Sequence, residues 1–441
     1  MSRWRAGAVG LALGMCTALG CGAVDESREP VQDEAPVPQV RQEPDAPIPP
    51  PPEQLPSAPL WTVQSSLPEL QDVAGLDSDG AGGFIVLART QFVGDSGWTG
   101  LGNLVLTRHD AMGMQRWSLT LDVTPGPAGM NVPQSSALAV SSSGDSFVSL
   151  QVLGGGTLLL GDASRTGGCF LVKLGPDGTV RWVRIAQADA LAADAEGGVV
   201  AVTRQGTVAR YDAEGVLQWT WTPPARDSLV FTTVAVDAEG NVVAAGNQLV
   251  DLSNGAGFIL GLSPSGEQRW LRTTPDAAGW ANFSDLALLP EGGMLLTGMF
   301  KQSFLWGNDR VNQGCGTGAP CFPSPAILAA DARGNPRWAM DLDGDSISPR
   351  VAVRSDGEAL VSWESQCTAR LMRLSPAGEV RWRVKESEGP CAQDRLLPRD
   401  VAFLRDGTFV SAGLLMGTRT FGEGVRFSAD EGDIVLQRMN P

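Results

Sequence analysis

A unit of sequence recurs seven times along the chain, and its period constrains the fold more than any other feature. The first half of the unit is a hydrophobic residue, an alanine, a glycine-containing turn and a short apolar strand. It starts at Val73-Ala74, Leu138-Ala139, Leu191-Ala192, Val234-Ala235, Leu286-Ala287, Val351-Ala352 and Val401-Ala402. In six copies a glycine follows the alanine by five residues, at Gly144, Gly197, Gly240, Gly292, Gly357 and Gly407; in the first copy it is Gly80, one residue later. The second half is an apolar strand, a turn and Gly-x-x-x-Trp, pairing Gly113 with Trp117, Gly178 with Trp182, Gly215 with Trp219, Gly266 with Trp270, Gly334 with Trp338 and Gly378 with Trp382. Self-similarity of this kind marks a repeat architecture in which each unit is one supersecondary element.

Each unit holds four short strands, a to d. Glycine supplies the positive φ that tight a–b and c–d turns need. Alanine suits a crowded innermost strand, and the tryptophan of strand d offers a large apolar body to the neighbouring unit. The seventh copy ends on Asp433-Ile434-Val435-Leu436-Gln437-Arg438-Met439 and has no strand d, whereas Leu60-Trp61-Thr62-Val63 precedes the first strand a without a unit of its own. The reading is all-β: a seven-bladed β-propeller of four-stranded blades over residues 60–441, closed by an N-terminal strand that completes the last blade and removes the free edges. Trp61, Trp117, Trp182, Trp219, Trp270, Trp338 and Trp382 form its structural repeat set.

The N-terminus reads as an address. Arg3 and Arg5 precede an apolar run, residues 6–20, that is too short to span a bilayer and has the form of a secretory signal. It ends in Ala18-Leu19-Gly20-Cys21, which resembles the lipobox of bacterial lipoproteins, although Ala18 stands where that motif usually has leucine. The resemblance implies a signal peptide over 1–20 and lipid attachment at Cys21; Gly22, rather than Asp, follows it and implies the outer membrane, on the periplasmic or cell-surface side. Residues 21–59, with Pro49-Pro50-Pro51-Pro52 and almost no bulky apolar residue, read as a disordered, extended linker.

The repeat resembles that of the seven-bladed β-propeller (SBBP-type) lipoproteins of bacteria over roughly residues 60–441. The stretches that carry the likeness are Phe170-Leu171-Val172-Lys173-Leu174-Gly175-Pro176-Asp177-Gly178-Thr179-Val180-Arg181-Trp182 and the segment from Phe421-Gly422 to Leu436. A more distant likeness is to the quinoprotein-type repeat, which also ends on glycine and tryptophan.

Loop lengths locate function. The a–b and c–d turns are short and nearly constant, whereas b–c segments such as 94–103, 153–168 and 301–325 vary widely. In a four-stranded meander the b–c and d–a connections emerge together, so the variation falls on one face, where a rigid scaffold usually carries its binding loops. Cys315, Cys321, Cys367 and Cys391 map to that face, and an oxidising compartment predicts Cys315–Cys321 and Cys367–Cys391 disulfides. Cys169, at the start of a c strand, is read as a small hydrophobe.

Little in the chain supports catalysis. The one histidine, His109, falls at the end of a strand c, in register with Leu174, Tyr211, Leu262, Ala330 and Leu374. Gly94-Asp95-Ser96-Gly97 has the look of a serine-protease nucleophile motif but lies in a variable loop. Asp341, Asp343 and Asp345 have a calcium-like spacing without a later acidic ligand. Asp72, Asp189, Asp285 and Asp400 precede four inner alanines, where they either ring a channel mouth and take a cation or cap strand ends; capping is the preferred reading. A net charge of −16 with no basic run in the mature region excludes nucleic acid as a partner. The expectation is a non-catalytic cell-envelope lipoprotein, without cofactor, metal or catalytic residues, that touches the membrane through its lipid anchor only and offers a loop-rich face to a protein or glycan. The alternatives are a propeller enzyme (a lyase or quinoprotein-like oxidoreductase) and an outer-membrane assembly scaffold resembling the propeller component of the barrel-insertion machinery.

Overall fold

The computed structural model divides the chain into Met1–Pro49 and Pro50–Pro441. It describes residues 59–64, 70–93, 99–124, 133–160, 163–224, 228–249, 255–275, 280–312, 323–344, 348–365, 368–385, 395–421 and 425–440. All belong to the second unit, and every regular element among them is a β-strand. A short strand β1 (Trp61–Gln64) comes first. Two meanders follow: β2 (Leu70–Ser78), β3 (Phe84–Val93), β4 (Thr99–His109) and β5 (Gln115–Thr124), then β6 (Pro133–Val140), β7 (Ser146–Leu160), β8 (Ala163–Leu174) and β9 (Val180–Ile185). Next come β10 (Ala190–Ala193), β11 (Val199–Val202), β12 (Val208–Tyr211) and β13 (Leu217–Trp221), and β14 (Leu229–Val236), β15 (Val242–Leu249), β16 (Gly255–Leu262) and β17 (Gln268–Thr273). In the following meander a small hairpin, β20 (Phe304–Trp306) with β21 (Asp309–Val311), interrupts the sheet of β18 (Ala281–Leu288), β19 (Met294–Phe300), β22 (Ser324–Ala330) and β23 (Pro336–Asp341). The last two are β24 (Arg350–Val353), β25 (Ala359–Ser365), β26 (Thr368–Leu374) and β27 (Val380–Lys385), and β28 (Arg395–Phe403), β29 (Phe409–Phe421) and β30 (Val425–Met439).

Every pairing is antiparallel, and all but three join sequence neighbours; one of the three is β19 with β22, across the inserted hairpin. Asp122–Thr124 of β5 pair with Thr157–Leu159 of β7 and join the first two meanders into one eight-stranded sheet. Strand β1 pairs with β30, Trp61 opposite Arg438 and Gln64 opposite Val435. The first strand of each meander lies against the first strand of the next, from β2 to β6, β10, β14, β18, β24 and β28, and β28 lies against β2. This is a β-propeller: sheets set like blades around a channel, each burying apolar clusters against its neighbours.

The Asp-x-x-Gly signature of the turns has a plain physical basis. At Asp110, Asp194, Asp212, Asp237 and Asp331 the carboxylate accepts the N–H groups two and four residues on. The glycine N–H three residues on donates back to the aspartate carbonyl, for example Gly215 to Asp212 at 2.9 Å. Gly175, Ser263 and Ser375 take the place of the aspartate in three other turns, and in all six c–d turns the glycine three residues on has a positive φ, near +74° to +86° at Gly113, Gly178, Gly215, Gly266, Gly334 and Gly378, which a side chain would strain.

The same six glycines meet tryptophan. Trp61 covers Gly113, Trp117 covers Gly178, Trp182 covers Gly215, Trp219 covers Gly266, Trp270 covers Gly334 and Trp338 covers Gly378; a Cβ at any of them would come within 2.5 to 3.1 Å of the indole. Four indole N–H groups also donate into that turn: Trp61 to Ala111 O, Trp117 to Pro176 O, Trp182 to Ala213 O and Trp219 to Pro264 O, at 2.8 to 3.1 Å. Trp382 stacks on Phe409 instead, because the strand beside β30 is β1 and no turn joins the two.

Opposite most of these tryptophans, on strand c, sits a cation that ties two blades together. Arg108 binds Asp79 at 2.7 Å and Pro176 O at 2.7 Å; Lys173 binds Asp145 at 3.0 Å and Ala213 O at 3.2 Å; Arg210 binds Asp194 at 2.9 Å and Pro264 O at 3.3 Å. Arg438 binds Asp406 and Ala111 O in the same way. At the equivalent places, opposite Trp270 and Trp338, stand Gly261 and Ala329, so the bridge is absent there.

The first repeat is displaced relative to the sequence alignment. Its turn begins at Asp79, whose N–H bonds Gly83 O as Ser141 N–H bonds Asp145 O. Asp77 therefore occupies the place of Ala139, and Gly82 that of Gly144, while Ala74 is the extra residue of a β-bulge between Val73 and Gly75. The bulge recurs at Thr232, Ser284 and Arg399.

Gly197 and Gly266 share a φ near +82°, but a Cβ at Gly197 meets nothing closer than 3.7 Å, whereas at Gly266 it meets Trp219 at 2.6 Å. Both Gly→Ala variants lose stability through φ, and Gly266→Ala loses a further ~1–3 kcal/mol from overpacking. Parallel denaturant titrations measure the difference.

Candidate binding site

The channel between the innermost strands encloses about 620 Å³, and polar groups dominate its lining. Three levels of charge mark its wall. In the middle level Arg350 lies between Asp285 and Asp400 on consecutive blades. Nearer the turns lies Asp77, and nearer the loops lie Asp189 and Arg204.

These carboxylates answer a problem of the architecture. An innermost strand has a ladder partner on one side only, so alternate backbone N–H groups face the channel and need acceptors. Asp400 accepts its own Val401 N–H and Leu76 N–H of the next blade, both at 2.9 Å. Asp285 repeats this with Leu286 and Val351, and Asp77 with Ser78 and Val140 at 2.8 and 2.9 Å. Hydroxyls serve the carbonyls: Thr232 Oγ1 donates to Phe283 O at 2.6 Å and Ser284 Oγ to Pro349 O at 2.8 Å.

The aspartates singled out from sequence do not form one ring. Asp285 and Asp400 share a level and a role; Asp189 accepts Arg204 N–H at 2.8 Å, and Asp72 pairs with Arg399 at 2.7 Å. Asp77, the third cap between blades, was missed because aspartate stands where the other repeats have alanine, while Val73-Ala74 three residues earlier imitates the start of the unit.

Burial opposes ionisation in this wall. It pushes the Asp77 carboxyl up to about 7, against the pull of the Val140 and Ser78 N–H groups, with the charge of Asp400 adding to the rise. It pushes Asp400 up to about 6, Arg350 opposing and Asp285 adding. Asp285 is raised by burial in the same way, with Arg350 opposing.

Elsewhere the chemistry is structural. His109 is buried, its Nδ1 3.1 Å from Gly113 O and Nε2 3.0 Å from Thr107 Oγ1, and it stacks on Phe84; burial lowers its pKa. Cys169 is free and half-buried, its thiol pushed up by burial and by Asp189, which disfavours the thiolate. Asp343 joins Arg370 and Arg383 at 3.4 and 3.5 Å. Among the described residues no group of three or more His, Cys, Asp or Glu is placed to hold a metal. Cys21, Cys315, Cys321, Cys367, Cys391, Asp345 and the 94–97 motif lie outside the described residues. No helix among the described residues is long and apolar enough to cross a membrane.

A family model described as outer membrane protein assembly factor BamB matches residues 102–290. No curated protein matches the chain. Among solved structures, BamB from Moraxella catarrhalis is 13% identical, with 86% of this chain and 99% of that one covered and a TM-score of 0.42. A Dyadobacter fermentans protein of unknown function is 10% identical, with coverage of 86% and 98% and a TM-score of 0.46. A Bacteroides caccae protein of unknown function is 16% identical over 55% of this chain and 78% of that one, with a TM-score of 0.36.

Because folding raises the Asp77 pKa from 3.8 to about 7, the folded chain holds that proton more tightly than the unfolded chain. Its contribution to stability is complete below about pH 4 and is lost as pH rises to about 7. The unfolding free energy of the wild type relative to Asp77→Asn is expected to fall across this window, by up to ~1.4 kcal/mol per pH unit. Chemical denaturation at pH 4.5, 6 and 8 checks the slope, and a pH-independent difference would contradict it.

Proposed function

We propose that this chain is a non-catalytic scaffold of the cell envelope: a closed seven-bladed propeller, held at the outer membrane by acylated Cys21, that docks a protein partner on its loop-bearing face. One asymmetry carries the reading. Around the channel, polar groups are spent on capping strand edges through Asp77, Asp285 and Asp400, and over most of the turn face on holding blade to blade through Arg108, Lys173, Arg210 and Arg438. The opposite ends of the blades carry the length variation, where β7–β8 and β29–β30 run on well past the pairing their own blades need. Elongated hairpins on a rigid body are a means of reaching a partner. The family match over 102–290 supports outer-membrane protein assembly as the setting.

Closure by β1 is supported by three parallels. Trp61 covers Gly113 as Trp117 covers Gly178, Arg438 reaches Ala111 O as Arg108 reaches Pro176 O, and β28 lies against β2. Trp61→Ala should therefore cost roughly 3 kcal/mol, the low end for a large aromatic because Trp61 is half-buried, and deletion of residues 60–64 more. A deletion that leaves the unfolding midpoint unchanged would contradict closure.

The scaffold reading is tested by chemical cross-linking in intact envelopes with the full chain. A reproducible cross-linked protein is expected that disappears when the β29–β30 hairpin is shortened and weakens in Cys21→Ala. The same cross-links from the shortened chain would overturn the assignment of the loop face.

A further inference from the structure

Large apolar side chains are not exposed at random. Nine are exposed among the described residues, and six fall together: Leu60, Met112, Met114, Val180, Val216 and Leu217. Met112 and Met114 flank the turn glycine between β4 and β5, Val180 opens β9, and Val216 and Leu217 follow the turn glycine between β12 and β13. The three turns are consecutive, since Trp117 reaches Pro176 and Trp182 reaches Ala213, and Leu60 joins them beside Trp61, whose indole meets Ala111 O.

The fold does not ask for these residues. The turn needs its glycine, and the position after it, Met114 and Val216 here, is Glu267, Asn335 and Glu379 in later blades. Met112 is 69% and Met114 64% exposed, and flexible methionines suit an adaptable contact surface.

Next to this arc is a cleft of about 680 Å³ lined by Glu196, Glu214, Trp219 and Glu239. Its one cation, Arg210, is committed to Asp194, Gly240 O and Pro264 O, and stands 3.6 Å from Glu196. Glu214 and Glu239 have no ion pair among the described residues. A chain of net charge −16 opposes a second copy of itself, or an anionic lipid surface, at such a place. Opposite charge is what fits it.

We propose that the outer rim of the turn face, from Leu60 across the three turns to the acidic cleft, is a docking surface for a basic amphipathic segment of a partner protein. The apolar side of the segment lies on the methionines and on Val180, Val216 and Leu217; its Lys or Arg side chains enter the cleft beside Glu196, Glu214 and Glu239. This surface is at the opposite end of the blades from the loop face, so it stands or falls independently of the reading above.

The test uses the full chain with Cys21→Ala and a fluorescent helical peptide of Lys and Leu at amphipathic spacing, titrated by anisotropy. Saturable one-to-one binding is expected that weakens at least tenfold in Met112→Ser/Met114→Ser and in Val216→Ser/Leu217→Ser. In Glu196→Gln/Glu214→Gln/Glu239→Gln it should weaken as much and lose most of its salt dependence. Leu305→Ser/Met416→Ser should bind as the parent does, and thermal midpoints report whether each variant folds. Absent binding, equal binding of a Glu/Leu peptide, or equal loss in Leu305→Ser/Met416→Ser would overturn the proposal. So would flotation with phosphatidylethanolamine–phosphatidylglycerol vesicles that depends on Met112 and Met114 while the Lys/Leu peptide fails to bind, which would assign the rim to the membrane.

Discussion

The contact on which the rest of the molecule depends is a tryptophan lying on a bare glycine of the next blade. Each partner needs the other's special property. The turn demands positive φ, which selects glycine, and the missing Cβ leaves a flat patch of backbone that only a broad ring fills without a void. The indole N–H then reaches the carbonyl two residues earlier, where seen at Trp61, Trp117, Trp182 and Trp219, so one residue supplies apolar area and a directed bond. Repetition of this contact sets blade against blade, and the strand c cations reinforce it from the opposite strand.

The inner wall is held by a different chemistry. Packing strands around an axis leaves their inner edges unpaired, and aspartate side chains from the preceding blade take over the work of a missing strand at Leu76, Val140 and Val351. The carboxylates that do so are hemmed in by protein and by one another, which is why Asp77 and Asp400 hold protons more tightly than exposed aspartates. Charge in this channel is thus first an edge-capping device, and its mixed sign, with Arg350 between Asp285 and Asp400, leaves no simple pole for a cation.

How far the candidate site could be read in advance differs by residue. The Gly-x-x-x-Trp spacing was legible because both residues answer to local geometry that repeats. The aspartate caps were half legible: Asp285 and Asp400 stood out by position, whereas Asp72 and Asp189 were grouped with them by proximity to alanine alone and sit at other levels. Asp77 escaped because it replaces the inner alanine of the other repeats, and an alignment anchored on Ala74 and Gly80 takes the bulge residue, three positions upstream, for that alanine. The acidic cleft and the exposed arc were invisible, since each combines residues from separate repeats.

Sequence by itself determined the all-β class, the four-strand unit, the turn chemistry and which residues face a neighbouring blade. All of these follow from short-range rules of φ, side-chain alternation and turn hydrogen bonding that act within one repeat. Tertiary structure alone decided which carboxylate caps which neighbour, how far Asp77 and Asp400 are lifted from their ordinary values, and where apolar and acidic side chains of different repeats come together on the rim. Those depend on distances across blade interfaces and on how much protein surrounds a charge, quantities set only when the repeats are packed about a common axis.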